Sequence, residues 1–216
     1  MTAPSHFIGG VWVPARLTIP VVNPSDGQTI GQIGRGGAAE IDAAVRAGHA
    51  ALDGDWGKLD AVSRGRLLTR FADLIRRDAD RLAKLESEDV GKPLSQARAD
   101  ATACARYFEY YGGAADKVHG ETIPFLSGYT VMTWYEPHGV TGHIVPWNYP
   151  LQMMGRSVAP SLAMGNAIVL KPAEDTSLTA LALAGLAEEA GFPKGAFNVV
   201  TGLGEEAGAA LTAHPG

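Results

Sequence analysis

Between His143 and Val200 the chain repeats one unit: a short apolar segment of strand-forming residues, an exit loop, and a stretch of helical periodicity. Residues 143–145, 167–170 and 197–200 are the apolar segments, and 151–164 and 176–190 are the helical stretches between them. Strands that are apolar at successive positions cannot show one face to water, so they belong in a sheet covered on both sides. The order strand, helix, strand, helix, strand then predicts a parallel, doubly wound α/β sheet with right-handed crossovers. Such sheets hold ligands where their strands end, which makes the three exit loops the places to look for a site.

At the first exit, Pro146 lacks an N–H and ends the strand after Val145, leaving Trp147 and Asn148 on a loop. Pro150 has the fixed φ that suits a first helical position, and Leu151, Met154, Val158 and Leu162 follow at helical spacing. A side-chain amide there can donate to a developing oxyanion without ever titrating, though Asn148 would serve equally as a cap for the helix. At the second exit, Lys171-Pro172-Ala173-Glu174 is a short turn that can bring a donor and an acceptor to one side, a pair that suits the two hydroxyls of a ribose. A carboxylate at that place repels a 2′-phosphate, and Lys171 offsets part of the repulsion. The bland alternative is a surface ion pair worth about 0–1 kcal/mol. At the third exit, Gly202, Gly204 and Gly208 depart from the Gly-x-Gly-x-x-Gly spacing of ordinary dinucleotide folds and by themselves imply only a tight turn before a helix.

Upstream, β-structure is expected at residues 7–8, 11–13, 19–22 and 29–33, with turns at Gly9-Gly10 and Asp26-Gly27. From Ala38 the period becomes helical. One helix starts there, a second near Asp60, a third spans 79–90 and stops at Gly91-Lys92-Pro93, and a fourth spans 95–111 and stops at Gly112-Gly113. Arg64, Arg66, Arg70, Arg76 and Arg77 alternate with acids as a solvated helix face. Tyr107, Phe108, Tyr110 and Tyr111 lack the Lys and Arg company of a base-stacking surface. Residues 131–136 read as a further strand.

Three ordered motifs, residues 142–151, Lys171-Pro172-Ala173-Glu174 and residues 191–204, resemble those of the aldehyde dehydrogenase superfamily. The likeness continues upstream through Phe7-Ile8-Gly9-Gly10, Asn23-Pro24-Ser25-Asp26-Gly27 and residues 86–94, so it covers nearly the whole chain. It implies an α/β, doubly wound cofactor-binding domain with N-terminal β-hairpins and helices, and oxidation of an aldehyde to a carboxylic acid through a thiohemiacetal and a thioester. NAD is the implied cofactor, with NADP use left open. By resemblance Asn148 is the oxyanion-stabilising residue. Val145, Pro146, Trp147, Asn148, Lys171, Pro172, Ala173, Glu174, Gly204 and Glu205 lie along the cofactor, and small residues at 204, 207 and 208 leave room for adenine. Met153 and Arg156 fall in the substrate channel, where Arg suits an aldehyde that carries a carboxylate. Ser157 departs from the family, which often has Lys there. A β-arm near residues 131–136 implies subunit contact and a homo-oligomer at full length.

The family's nucleophilic Cys and general-base Glu lie well beyond Gly216. Residues 1–216 are therefore expected to be the N-terminal part of such a chain, its cofactor domain truncated before the catalytic domain. Alone they are expected to be inactive and poorly folded, because the third parallel strand would present a bare edge. A CoA-acylating semialdehyde dehydrogenase and a non-catalytic nucleotide-binding protein are the alternative readings. Composition narrows the rest. Hydrophobic residues make up 46% and charged residues 19%, and no apolar run approaches the ~18 residues of a membrane span. With a net charge of -5 and no basic block, neither nucleic acid nor membrane is expected as a partner. No signal-peptide pattern opens the chain, so a cytoplasmic location is expected. The one cysteine, Cys104, sits in a helical stretch and reads as a small buried hydrophobe. The histidines show no metal-ligand spacing, so no metal is expected.

Overall fold

A computed structural model describes residues 5–216. It opens with a hairpin of β1 (Ser5–Ile8) and β2 (Val11–Pro14), closed by Gly9 and Gly10, both at positive φ. A second hairpin, β3 (Thr18–Val22) and β4 (Thr29–Gly34), precedes the helices α1 (Ala38–Asp53), α2 (Ala61–Arg77), α3 (Ala79–Val90) and α4 (Leu94–Ala114). A two-stranded ribbon, β5 (Thr122–Ile123) and β6 (Val131–Met132), follows. The alternating region is β7 (Val140–Val145), α5 (Pro150–Ala163), β8 (Ala167–Pro172), α6 (Leu178–Ala190), β9 (Phe197–Val199) and, after a π turn over 204–208, α7 (Ala209–Ala213).

Five strands form one sheet in the order β2-β1-β9-β8-β7, with β7, β8 and β9 mutually parallel. All six residues of β8 are buried. Its side chains alternate between two cores: Ile168 and Leu170 pack with α2, α4, α5 and α6, while Val169 packs with Ile41, Ala44 and Val45 of α1 on the opposite face. Helices on both faces of the sheet are the architecture that strands apolar at successive positions demand. Among the described residues no helix is long and apolar enough to cross a membrane.

Helix boundaries follow their chemistry. The Asp60 carboxylate accepts the Ser63 N–H at 2.7 Å to start α2, and Gly91, at φ 78°, ends α3 in the left-handed conformation that glycine adopts without strain. Residues 174–176 form a 3-10 turn, so α6 begins at Leu178, two residues later than its periodicity suggests.

Three expectations need correction. The third parallel strand has no bare edge: β1 lies antiparallel to β9, with Phe7 opposite Val199. Buried Asn198 fastens this pairing. Its Oδ1 accepts the Gly9 N–H at 2.9 Å, and its Nδ2 donates to the carbonyls of Ile168 and Gly195. The edge argument for poor folding therefore falls. Second, the 131–136 strand shrinks to Val131–Met132, which pairs only with Thr122–Ile123, and Trp134 and Tyr135 stand exposed. Third, Gly112-Gly113 does not end a helix, since α4 runs on to Ala114. Gly112 is there because α2 crosses α4 at that point. A Cβ on Gly65 would stand 2.4 Å from the Gly112 carbonyl oxygen, and one on Gly112 would stand 2.9 Å from that of Gly65.

The crossing gives a paired stability prediction. Gly65→Ala should cost about 2 kcal/mol in urea unfolding, because the clash is with backbone that cannot rotate away. Gly113→Ala, on the open face of the same helix with nothing within 4 Å, should instead stabilise by about 1 kcal/mol. Equal effects at the two positions would refute the close-approach explanation.

Candidate functional site

The β7–β8 register sets Val145 opposite Pro172, and the Ala173 N–H donates to the Val145 carbonyl at 3.0 Å. The first two exit loops therefore leave the sheet side by side. Pro146, Trp147 and Asn148 are exposed on the first. α5 takes Tyr149 as its N-cap without any side-chain cap bond, and the Asn148 amide has no hydrogen-bond partner among the described residues. Capping does not occupy it.

The start of α5 is held from elsewhere. Glu86, on α3 and wholly buried, accepts the Leu151 N–H through Oε2 at 3.2 Å. Lys92 donates to Glu86 at 3.1 Å and to Asp100 at 2.6 Å, and its ammonium lies 4.4 Å from the centre of the Tyr149 ring. Gln96 donates to the Tyr149 hydroxyl at 2.8 Å. Burial pushes the Glu86 carboxyl up to about 7, with Lys92 and the Leu151 N–H pulling the other way. One helical turn along, Asp89 accepts the Leu178 N–H at 3.0 Å at the start of α6, and burial pushes its carboxyl to about 7 as well.

At the second exit Lys171 is buried and donates to Glu174 Oε2 at 2.8 Å, while Oε1 of Glu174 accepts the Gly204 N–H at 3.2 Å. Burial alone would raise the Glu174 carboxyl, but Lys171 and the backbone donors together outweigh it and hold it below its usual range. Gly204 and Gly208 lie beside this pair: a Cβ on the first would reach within 3.8 Å of Glu174 Oε1, and on the second within 4.0 Å of Lys171 Cδ. From there an open cleft of about 590 Å³ runs between Ile144 and Gly204, Gly208, Ala209, Thr212 and Ala213. The cleft is lined mainly by apolar and small residues, and the Lys171–Glu174 donor and acceptor lie beside its glycines. Pro172 is buried, Ala173 half-buried and Glu205 exposed, while neighbouring Glu206 pairs with Arg35 at 2.6 Å.

Met153 is half-buried against the main core, and Arg156 is exposed on α5 with no ion-pair partner among the described residues. Cys104 is fully buried where α4 crosses Gly155 of α5, and desolvation pushes its thiol far up, which suits packing and not nucleophilic attack. Sequence reading missed two polar groups. One is the Glu86–Lys92–Asp100 cluster, whose signal was an acid within the apolar stripe Leu82, Ala83, Glu86 of α3. The other is His143, nearly buried, with Nδ1 2.6 Å from Ser157 Oγ and Nε2 3.0 Å from Thr141 Oγ1. Thr141 in turn lies 2.8 Å from Ser161 Oγ, so the chain of four side chains ties β7 to α5.

A profile of the aldehyde dehydrogenase family matches residues 12–216. Hydroxyisobutyraldehyde dehydrogenase of Mycolicibacterium austroafricanum is 51% identical over 99% of this chain and 43% of that protein. The mitochondrial aldehyde dehydrogenase of Homo sapiens is 47% identical over 96% of this chain and 41% of that protein. Among solved structures, the NAD+ complex of an aldehyde dehydrogenase from Bacillus cereus superposes with a TM-score of 0.96 at 40% identity, covering 98% of this chain and 44% of that one. The chain thus spans less than half the length of the relatives it matches.

His143 supplies a pH prediction. Burial lowers its pKa to about 4 from an ordinary 6.5, so the unfolded chain binds its proton first as the pH falls. Its contribution is complete above pH 6.5 and is lost as the pH drops through about 4, roughly 3 kcal/mol in all. Glu86 and Asp89, with raised values, act in the opposite sense over much of that interval, so the measurement is a difference. Urea unfolding of the protein and of His143→Asn at pH 7.5 and 5 should show the variant losing less stability on acidification. Parallel losses would mean that the ring is solvated.

Proposed function

Because this chain belongs to the aldehyde dehydrogenase family, we propose that it supplies the oxyanion donor and the adenosine-binding floor of an enzyme that oxidises an aldehyde to a carboxylic acid with NAD. The uncommitted Asn148 amide carries the reading: an exposed donor at a strand exit, one strand from the Lys171–Glu174 pair. When a thiolate adds to the carbonyl carbon, the π electrons move to oxygen. An N–H of Asn148 then meets a full negative charge where the ground state offers only a dipole, so the interaction strengthens at the transition state. Bound NAD would supply hydride acceptance. Glu174 and Lys171 would bracket its ribose, and Ile144, Gly204 and Gly208 would flank the base. Val145, Pro146 and Trp147 belong to the same wall.

Buried Cys104 is not the thiolate in this reading. The nucleophile and the general base are assigned to the part of the family's length that the chain does not span. Arg156, exposed and unpaired, is the group that would favour an aldehyde carrying a carboxylate. A homo-oligomer belongs to the proposal, supported by Phe125, Leu126, Tyr129, Trp134 and Tyr135, all exposed around the β5–β6 ribbon. A cytoplasmic location does too, while several relatives are named as mitochondrial enzymes.

Two substitutions in the protein carrying this chain test the reading. Asn148→Ala should lower kcat by ~100-fold with unfolding behaviour unchanged, since removing one oxyanion donor costs on the order of 3 kcal/mol. A loss below ~5-fold with chemistry rate-limiting would remove Asn148 from the oxyanion site. Glu174→Gln should narrow the preference for NAD over NADP in steady-state kinetics, because the repulsion of a 2′-phosphate goes with the charge. A wild-type preference for NADP contradicts the assignment of Glu174.

A further inference from the structure

We propose that the buried cluster of Glu86, Lys92 and Asp100, together with Gln96 beside it, is the positioning device of the Asn148 loop, gripping it at Tyr149 and Leu151 so that the amide keeps one place. The inference rests on the reading of Asn148 given above. Three contacts reach the loop from α3, α4 and the turn between them. Glu86 accepts the Leu151 N–H, Lys92 lies 4.4 Å from the Tyr149 ring centre, and Gln96 donates to the Tyr149 hydroxyl. They meet the chain one and three residues after Asn148, while β8 fixes Val145 three residues before it. The loop is therefore pinned at both ends, by β8 before Pro146 and by this cluster after Asn148.

The cost of the cluster argues for a directional task. Two carboxylates and an ammonium are taken almost wholly out of water, and an isolated ion buried in that way loses several kcal/mol of hydration. Apolar side chains could join α3, α4 and α5 without that penalty, but could not satisfy the Leu151 donor. Nor does the helix satisfy it locally, because neither Tyr149 nor Asn148 provides a cap. An apolar replacement would let the first turn of α5 fray, and the amide of Asn148 would move with it. A displacement of about 1 Å at a catalytic group is enough to lower a rate on the order of 100-fold.

The experiment compares the wild-type protein carrying this chain with Glu86→Ala, Glu86→Gln and Tyr149→Phe, by amide hydrogen exchange and by kinetics with aldehyde and NAD. Glu86→Ala should lose exchange protection at Leu151 and across residues 149–153, and kcat should fall by at least ~30-fold while KM for NAD stays within ~2-fold. Glu86→Gln, which keeps an acceptor for the Leu151 N–H, should recover both readouts to within ~5-fold of wild type. Should Glu86→Ala not fold, Tyr149→Phe decides. It removes only the bond from Gln96, and should speed exchange at 149–151 and lower kcat with no change in thermal midpoint. Unchanged protection in either variant, or a loss of protection spread evenly over the chain, overturns the proposal. If the wild-type protein oxidises no aldehyde, the functional reading of Asn148 fails, while the exchange data still report whether the cluster holds the loop.

Discussion

The structure depends on burying one strand completely. Every residue of β8 is removed from water, so its backbone must find ladders on both edges and its side chains must find cores on both faces. That single requirement places β7 and β9 beside it, the larger core with Leu170 and Ile168 on one face, and the α1 core with Val169 on the other. It also creates the charged pair of the site. Lys171 is a buried cation near the end of the strand, and Glu174, three residues on, is the acceptor that makes its burial tolerable. The same interaction that lets the strand end there leaves a carboxylate at the mouth of the cleft.

Where the sequence was legible, a local interaction decided the outcome. The alternation from His143 to Val200, the helix start near Asp60, the Gly91 stop and the break at Pro146 depend on residues close in the chain, and they stand within two residues of where expected. The failures depend on distant chain. Gly112 marks a crossing with Gly65 and not a stop, which no local signal distinguishes. The covering of β9 by β1 rests on Asn198 reaching Gly9, 189 residues away. The candidate site divides in the same way. Asn148, Lys171 and Glu174 announce themselves through their loops, whereas Glu86 looks like one more acid on a helix until its burial is seen.

Glu86 and Asp89 show one helix serving two others. They are three residues apart on the buried face of α3, and each accepts an N–H near the start of a crossover helix, Leu151 of α5 and Leu178 of α6. Neither of those helices has a side-chain cap of its own. The first N–H groups of a helix carry partial positive charge, so a carboxylate is the suitable partner, and burial strengthens the attraction while raising the cost of losing it. α3 thereby fixes the beginnings of the two helices that follow the two loops of the candidate site. The loops can stay exposed because the helices behind them are anchored elsewhere.

That arrangement restricts how a dinucleotide can lie on the sheet. In ordinary doubly wound folds the pyrophosphate sits at a helix N-terminus, where unpaired N–H groups and the helix dipole meet its charge. Here α5 begins at Pro150, which has no N–H, and its next donor is held by Glu86. α6 has given the N–H of Leu178 to Asp89. A phosphate at either end would meet the repulsion of a buried carboxylate, which low-dielectric surroundings enlarge. The third helix start turns the Gly204 N–H onto Glu174 Oε1. In the proposed reading Lys171 and Glu174 would hold the sugar hydroxyls and the apolar cleft beside Ile144 would take the base. The glycines that depart from dinucleotide-fold spacing then divide by physical reason: Gly202, at φ 156°, lies where a Cβ would stand 2.5 Å from the Gly36 carbonyl oxygen, whereas Gly204 and Gly208 line the cleft beside Ile144 and in the proposed reading would leave room for a flat ring.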